Sequence, residues 1–140
     1  MMFIFKIVLF IHITLYRLTN GRIGRRFNGG DILLLTTTGR KSGQTRTTPL
    51  MYIRDGDNYL ITGSGGGSPK HPGWYWNATR GSHPVKIQVN ELVTNVQVEE
   101  AASDQRDRLY QRFIDMNNQF AGYETKTSRK IPVLILKPTA

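Results

Sequence analysis

The chain has 140 residues, a length that fits one compact domain. Its 39% hydrophobic and 10% aromatic residues are enough for a core and exclude a disordered chain. The formal net charge of +9 indicates a negatively charged partner. Cysteine is absent, which excludes disulfides and thiolate chemistry, and the three histidines lack ligand spacing, so no metal is predicted.

The N-terminal segment is an apolar run, MMFIFKIVLFIHITLYRL, interrupted by Lys6 and His12. The interruptions leave fewer than the ~20 clean apolar residues that a spanning helix needs. A secretory signal also fits poorly, because the segment has no cationic start and no small-residue cleavage site. We predict an amphipathic helix over residues 1–20 that either packs on the domain or lies on a membrane surface. In the second case, the arginines between positions 17 and 26 would attract anionic lipid.

Short β-like runs dominate the chain from residue 31 onward. Strands are predicted at residues 31–38, 49–54, 58–62, 84–89, 92–98 and 131–136. Asp55-Gly56 and Asn90-Glu91 separate neighbouring runs and indicate hairpins. Pro132 cannot donate to a ladder, so that end should be an edge or a strand start. Strands this closely spaced, with little helix between them, favour an antiparallel barrel over a doubly wound sheet.

Two helices are predicted in this part of the chain. Ser103 and Asp104 supply an N-cap and a first-turn acid for a helix over residues 103–120. Apolar residues recur along it at helical spacing: Leu109, Phe113, Met116 and Phe120. A shorter helix is predicted over residues 72–80. No linker divides the sequence, so residues 21–140 are expected to form a single domain.

A basic loop follows the first predicted strand, in the run TTTGRKSGQTRTTP. Arg40, Lys41 and Arg46 fall within seven residues, with no carboxylate beside them. Gly39 allows a tight turn, and Gly43 lets the backbone approach a ligand. Backbone N–H groups beside cationic side chains bind phosphates, although the residue order of a P-loop is absent. The loop indicates an anion site, with a solvated hairpin as the alternative.

A glycine-rich loop, GSGGG at residues 63–67, leads into Trp74 and Trp76. Consecutive glycines cost chain entropy and add no packing, so a close backbone approach to a ligand is expected, with a flexible linker as the alternative. One tryptophan, Trp74 or Trp76, could lie against a planar ring of the ligand, while at least one of the two is expected in the core. No acid–base pair or catalytic triad is evident, so a cofactor would supply the chemistry of an enzyme. Both loops together fit a flat, redox-active ligand that carries phosphate.

Three motifs occur in a specific order: LLLTTTGRKSGQTRTTPL, then ITGSGGG, then KHPGWYWN. In this order they resemble the deazaflavin-dependent nitroreductase family of the flavin/deazaflavin split β-barrel superfamily. The resemblance implies a mainly β (α+β) fold, a split β-barrel of about six antiparallel strands with a few flanking helices. It also implies binding of coenzyme F-420, an 8-hydroxy-5-deazaflavin with a phospholactyl-oligoglutamate tail, and hydride transfer to a bound acceptor.

The resemblance assigns site residues position by position. It places the cofactor tail at Arg40, Lys41, Ser42, Gly43, Gln44 and Arg46. It places the ring beside Pro49, Leu50, Met51, Gly63, Ser64, Gly65, Gly66, Gly67, Trp74 and Asn77. Ser64 is implied as the catalytic residue that orients the substrate, and the substrate site is implied to comprise Met51, Ser64, Phe120 and Tyr123. Departures from common family residues weaken the substrate assignment: Met51, Gly65, Asn117 and Phe120.

The resemblance implies an F-420-dependent oxidoreductase that reduces a small electron-poor acceptor such as a quinone, enone or nitro compound. One alternative is the same barrel with FMN, but the basic loop suits a tail longer than one phosphate. Others are a non-catalytic cofactor-binding protein and, more distantly, a basic nucleic-acid-binding protein. No nucleic-acid partner is expected, because the cations lack interleaved aromatic residues. We expect a cytoplasmic protein, peripheral on the inner face of the cell membrane, as a monomer or homodimer.

Overall fold

The computed structural model describes residues 2–139 as four helices, seven strands and a short 3-10 turn. The helices are α1 (Met2–Leu18), α2 (Gly73–Arg80), α3 (Ser103–Met116) and α4 (Gln119–Lys126). The strands are β1 (Arg26–Phe27), β2 (Gly30–Thr38), β3 (Thr45–Asp55), β4 (Asn58–Thr62), β5 (Val85–Val89), β6 (Leu92–Glu100) and β7 (Val133–Pro138).

Six strands close into an antiparallel barrel in the order β2-β3-β4-β7-β6-β5. Pairing of β5 with β2 completes the circle, with Leu35 opposite Ile87. The barrel of six antiparallel strands predicted from the sequence is confirmed. The two-residue β1, which the sequence pattern does not indicate, pairs with the start of β2.

Alternation along β2 explains its place in the centre of the molecule. Leu33 and Leu35 belong to the core inside the barrel, whereas Ile32 and Leu34 pack on the outside against Tyr16 of α1. All four leucine and isoleucine side chains are at most 5% exposed. A strand buried on both faces reads as a continuous apolar run, which is how ILLL appears in the sequence.

A second core lies outside the barrel, beneath α3 and α4. Tyr110 and Phe113 of α3 and Phe120 of α4 cover Leu60 and Ile135 of the barrel wall. The aromatic rings of Phe113 and Phe120 lie 5.2 Å apart, and burial of such rings is a main source of stability in a small domain. These contacts fix the two helices to one side of the barrel.

The structure corrects the predicted helix over residues 103–120 at two points. The N-cap is Ala102, and Ser103 lies inside the helix without capping it. The helix also ends at Met116, because Asn117 adopts extended backbone angles and uses its side chain locally. The Asn117 amide donates to the Asn28 carbonyl at 2.7 Å and accepts from the Gln119 N–H at 3.0 Å. Such side-chain bonds compete with helical ones, so Phe120 falls in a separate helix.

The turns lie close to their predicted places. Asn90 and Glu91 connect β5 to β6, as expected. The first hairpin turns at Gly56 and Asp57, one residue later than predicted, because Asp55 pairs with Asn58. Pro132 directly precedes β7, as its missing N–H requires, and its carbonyl accepts from the Gly63 N–H at 2.9 Å.

Helix α1 is joined to the barrel chiefly through Tyr16, which is fully buried. Its hydroxyl donates to the Ile32 carbonyl at 3.0 Å and accepts from the Asn90 N–H at 2.8 Å. Burial raises the pKa of this phenol, so it stays neutral at physiological pH. No helix within residues 2–139 has the length and apolarity to cross a membrane.

Replacing Tyr16 with phenylalanine tests this attachment. We expect Tyr16→Phe to lower the free energy of unfolding by about 1–3 kcal/mol, because the buried Ile32 carbonyl loses this donor and the partly buried Asn90 N–H loses its acceptor. Chemical denaturation measures the change. The control is Tyr123→Phe. The Tyr123 hydroxyl is exposed and makes only a long hydrogen bond of 3.5 Å to Gln119, so its loss should change the free energy of unfolding by less than about 0.5 kcal/mol. Equal losses in both variants would contradict the assignment.

Candidate cofactor site

The loop between β2 and β3 forms a tight turn that presents cations at one end of the barrel. The Gly39 N–H donates to the Gln44 carbonyl at 2.8 Å, and the Gly43 N–H donates to the Gly39 carbonyl at 2.9 Å. Gly43 has a φ of 72°, which favours glycine. The Ser42 hydroxyl accepts from the Gln44 N–H at 3.2 Å. The turn predicted between the two strands is therefore present, and its own hydrogen bonds hold it.

Helix α2 lies against this turn, and the two border an open pocket of about 550 Å³, called here the basic pocket. It is lined by Gly39, Arg40, Lys41, Ser42, Arg46, Thr48, Gly73, Trp74 and Asn77. The Asn77 side-chain oxygen accepts from the Arg40 N–H at 3.3 Å, which links helix and turn. The structure thus brings together two motifs that lie more than thirty residues apart in the sequence.

The charge of the basic pocket is not neutralised by the protein. Arg40, Lys41 and Arg46 are exposed, and within residues 2–139 none of them forms a salt bridge. Other cations of the described chain do find carboxylates, as Arg112 does with Asp55 at 2.8 Å. Unpaired guanidinium and ammonium groups beside backbone N–H groups suit phosphate and carboxylate ligands. The residues present therefore fit a cofactor with a polyanionic tail.

One buried hydroxyl in this wall lacks a partner. Thr37 is 1% exposed, and its hydroxyl oxygen is the one buried side-chain polar atom of the described residues without a hydrogen bond. Thr37 pairs with Arg46 across the β2–β3 ladder, next to the pocket lining. Unpaired buried polar groups cost stability and are uncommon. The unpaired Thr37 hydroxyl therefore places an unfavourable buried polar group at the same end of the barrel as the basic pocket.

Strand β3 has an edge without a strand partner beside the pocket. It pairs with β2 from Thr45 to Tyr52, but with β4 only from Ile53 to Asp55. Over residues 45–52, the other edge has no strand partner in the described chain. Backbone N–H and C=O groups on such an edge are available to hydrogen-bond a planar ligand.

The side chains of β3 divide between two faces. Arg46, Thr48 and Leu50 share the face that leads from the basic pocket to the barrel core. Pro49 instead lines a groove under α1, and Met51 packs against the two outer clusters. Three of the residues that the resemblance places beside the ring lie on β3, and only Leu50 among them has its side chain on the pocket face. Pro49 and Met51 can meet a ligand there only through their backbone.

The glycine loop lies between β4 and α2 and contains the 3-10 turn Gly65–Gly67. All three glycines have positive φ. A Cβ on Gly67 would lie 2.9 Å from Lys126 Cβ and 3.2 Å from the Tyr123 carbonyl oxygen, so α4 packs directly on the turn. A Cβ on Gly66 would meet nothing within 4 Å. Backbone conformation thus requires the glycines, and close packing requires Gly67 as well.

The proposed catalytic and substrate residues lie around this loop and outside the lining of the basic pocket. Ser64 is half-buried at its start, and its carbonyl accepts from the Gly67 N–H at 2.9 Å. Tyr123 of α4 is half-buried, and its carbonyl lies beside Gly67. Phe120 is 5% exposed within the outer core, so its side chain supports Tyr123, at a ring distance of 5.4 Å, and does not line the pocket.

Both tryptophans are half-buried and pack against the barrel core from α2. Trp74 also lines the basic pocket. Trp76 instead contacts Arg80, whose guanidinium carbon lies 4.4 Å from its ring centroid, and His71. The positions agree with the expectation of one core tryptophan, Trp76, and one tryptophan in the pocket wall, Trp74.

Arg129 is a residue of this region that sequence reasoning missed. It lies between α4 and β7 and donates to the carbonyls of Gly63 and Ser64, each at 3.0 Å. It also donates to the Ser68 carbonyl at 3.0 Å. No local signal identifies it, since these partners are more than sixty residues away.

No group of three or more potential metal-ligating side chains comes together within residues 2–139. The three histidines lie in different parts of the fold. His12 contacts the Gly24 carbonyl at 2.8 Å, and His71 contacts Arg129 at 3.1 Å.

A matched pair of glycine variants tests the packing of the loop. Gly66→Ala should cost about 1–2 kcal/mol, because the residue has a φ of 66° but open space around it. Gly67→Ala should cost about 1–3 kcal/mol more, because its methyl group would clash with Lys126 and the Tyr123 carbonyl. Denaturant unfolding of both variants measures the difference. Equal losses would show that α4 does not restrain the loop.

Comparison with known proteins identifies the family. The family described as F420H(2)-dependent quinone reductase matches residues 9–138. An F420H(2)-dependent quinone reductase of Mycobacterium tuberculosis is 45% identical over 130 residues, covering 90% of this chain and 87% of the relative. A solved F420-H2 dependent reductase is 36% identical, with a TM-score of 0.67 over 76% of this chain and 93% of that one. A second solved structure, described as a domain-swapped dimer, is 31% identical, with a TM-score of 0.70 over 91% of this chain and 97% of that one.

These matches span the barrel, both loops and the flanking helices. They confirm the resemblance inferred from the three motifs, together with the prediction of an oxidoreductase that depends on coenzyme F-420. They also narrow the family from nitroreductases in general to quinone reductases. The chain belongs to the F420H(2)-dependent quinone reductase family.

Proposed function

We propose that this protein reduces a quinone with reduced coenzyme F-420, which it holds between the basic pocket and the glycine loop. The observation that carries the proposal is the set of three unpaired cations, Arg40, Lys41 and Arg46, in a pocket walled by Trp74. Their charge suits the phosphate and glutamate tail, while the family match supplies the cofactor and the acceptor class. Other electron-poor acceptors, enones and nitro compounds, belong to the same proposal.

Each part of the site has a separate task. Lys41 and Arg46 bind the tail, assisted by Arg40, the Ser42 hydroxyl and the N–H groups of Lys41 and Ser42, since the other N–H groups of the turn donate within the protein. The free edge of β3 at residues 49–51 and the backbone at residues 63–67 flank the ring. Glycine at these positions permits close approach to a flat surface. Binding energy from the remote tail thereby fixes the ring without placing charge beside it.

The chemistry is a two-electron reduction. When bound, the reduced cofactor supplies a hydride, and with one proton this converts the quinone to a quinol. Ser64 orients the acceptor through its hydroxyl, and the proton comes from this hydroxyl or from water. Tyr123 borders the acceptor. Because Phe120 holds Tyr123 from behind, its contribution is indirect.

Removing two cations tests the tail site. Lys41→Ala combined with Arg46→Ala should weaken F-420 binding about 10- to 100-fold, because charge-assisted contacts are lost. The affinity of the unaltered protein should fall as salt rises, and that of the variant should fall less. Titration followed by deazaflavin fluorescence measures both. The matched control, Arg108→Ala with Lys130→Ala, removes two exposed cations elsewhere and should bind normally.

Ser64→Ala completes this test by separating binding from turnover. It should slow quinone reduction by about tenfold or more while changing cofactor affinity little, since an orienting group acts mainly on the rate. Unchanged cofactor affinity in the double cation variant would rule out the tail site. FMN bound more tightly than F-420, or no quinone reduction by the unaltered protein, would overturn the proposed function.

We also propose that residues 1–20 attach the single domain of residues 21–140 to an anionic membrane surface, as a peripheral protein of the inner face of the cell membrane. Apolar side chains project from α1 into solvent, with Phe3, Phe10 and Leu18 each about 70% exposed or more. The exposed Arg22 and Arg25 adjoin the C-terminal end of this helix and form no salt bridge in the described chain. Apolar surface next to unpaired arginine suits insertion among anionic headgroups.

Vesicle binding tests this attachment. The protein should bind vesicles that contain phosphatidylglycerol more tightly than vesicles of phosphatidylcholine alone. Phe3→Ser with Phe10→Ser should weaken binding by about tenfold or more, because the variant lacks the two aromatic rings that would be buried in the lipid. The control, Leu92→Ser with Val93→Ser, alters exposed apolar residues of the β5–β6 hairpin and should bind as before. The proposal would be contradicted if the protein bound neither kind of vesicle and sedimentation showed that it dimerises through α1.

A further inference from the structure

One side chain from outside the glycine loop hydrogen-bonds three backbone carbonyls of the loop and its continuation. The guanidinium group of Arg129 donates to the carbonyls of Gly63, Ser64 and Ser68, all at 3.0 Å. A loop of three glycines with positive φ has little conformational preference of its own. Its shape therefore depends on contacts with the rest of the protein, and among these a planar guanidinium makes the three hydrogen bonds in one fixed geometry.

No carboxylate explains the position of Arg129. Within residues 2–139 it forms no salt bridge, although its neighbour Lys130 pairs with Asp107 at 3.2 Å. The side chain is half-buried, and burial lowers its pKa. A guanidinium group nevertheless stays protonated in proteins. A half-buried cation without a carboxylate depends on carbonyl dipoles for its stability. All the carbonyls that it contacts belong to the glycine loop or its continuation.

The fourth bond of Arg129 fixes the protonation state of His71. Guanidinium nitrogens only donate, so the contact of 3.1 Å between Arg129 Nη1 and His71 Nδ1 requires Nδ1 to accept. His71 is then neutral, with its proton on Nε2. Its ring stacks on Tyr75, with centroids 4.5 Å apart, at the junction between the loop and α2.

We propose that Arg129 and His71 form a positioning pair that sets the glycine loop for hydride transfer while leaving the tail site independent. The proposal rests on the assignment of residues 63–67 to the cofactor ring. Arg129 fixes the backbone that carries Ser64, and His71 joins the same guanidinium to α2, which carries Trp74. The pair thus couples the two walls of the site, although neither residue touches the substrate in this arrangement.

Protonation of His71 should break the pair. A proton on Nδ1 would face the guanidinium of Arg129, so two cations would meet where a hydrogen bond had been. The groups that face His71 are Arg129 from the loop before β7, Glu100 from β6, and Tyr75 and Trp76 from α2. Burial and Arg129 lower the pKa of His71 below its ordinary 6.5, against the opposing effect of Glu100. Turnover should therefore stay constant above neutral pH and fall as the pH drops through this lowered pKa.

Three variants test the pair in the full-length protein. Arg129→Ala removes the fork, and Arg129→Lys keeps a charge that cannot reach three carbonyls together. His71→Asn keeps an acceptor near the Nδ1 position but cannot be protonated. The matched control is Lys130→Ala, which removes the adjacent exposed cation. Each variant is measured for cofactor affinity, for turnover against pH and, without cofactor, for amide hydrogen exchange.

Hydrogen exchange reports directly on the loop. The amides of Gly63, Gly67 and Ser68 donate to the carbonyls of Pro132, Ser64 and Gly65, so they should be protected. Arg129→Ala should increase their exchange by about tenfold or more and slow turnover by a similar factor, with cofactor affinity within about threefold. Arg129→Lys should give smaller changes in the same direction. His71→Asn should keep turnover at neutral pH and lose the fall at acid pH.

The contrary results are equally definite. Unchanged exchange in Arg129→Ala, or in Arg129→Lys if the alanine variant does not fold, would overturn the role of Arg129. An acid fall that persists in His71→Asn would overturn the role of His71. Exchange does not depend on catalysis, so it decides the role of Arg129 even if no quinone is reduced. Absence of turnover by the unaltered protein would count only against the proposed function.

Discussion

Burial of β2 on both faces is the constraint on which the rest of this structure depends. Leu33 and Leu35 fill the barrel, while Ile32 and Leu34 seat the N-terminal helix through Tyr16. The same strand also forms ladders with both β3 and β5, so it closes the barrel. A shift by one residue would exchange the side chains on the two faces, so the barrel core and Tyr16 would each lose their packing partners. The basic loop at its end therefore has a fixed place.

The proposed site separates attachment of the cofactor from chemistry. In this proposal the cations of the loop between β2 and β3 hold the anionic tail, and the reaction takes place at the glycine loop, where the protein offers mostly backbone. Such a loop suits a flat ring but cannot hold its own shape, so Arg129 and the packing of α4 on Gly67 supply the rigidity. Affinity and rate then depend on different residues, which mutations can alter separately.

Several features follow from the sequence alone because their causes are local. Period-two alternation and turn residues such as Asn90 indicate the strands and hairpins. Arg40 and Lys41 indicate an anion site, because a cluster of cations without a neighbouring carboxylate can be recognised from the sequence alone. The ordered motifs around Ser64 and Trp74 were specific enough to indicate the family. Local patterns fail where two signals compete, as at Asn117, whose side chain donates to the distant Asn28 carbonyl where the helix ends.

Tertiary structure alone decided which distant groups meet. Sequence reasoning placed Pro49, Leu50 and Met51 together at the ring, but the β2–β3 register sends Leu50 to one face and its two neighbours to the other. It also gave no weight to Arg129, because an isolated arginine before a strand has no local signature, and its partners lie more than sixty residues away. Sequence alone was enough to predict the six barrel strands, the charges and the cofactor class. Closure of the barrel determined the contacts, because these depend on long-range pairing that no local pattern contains.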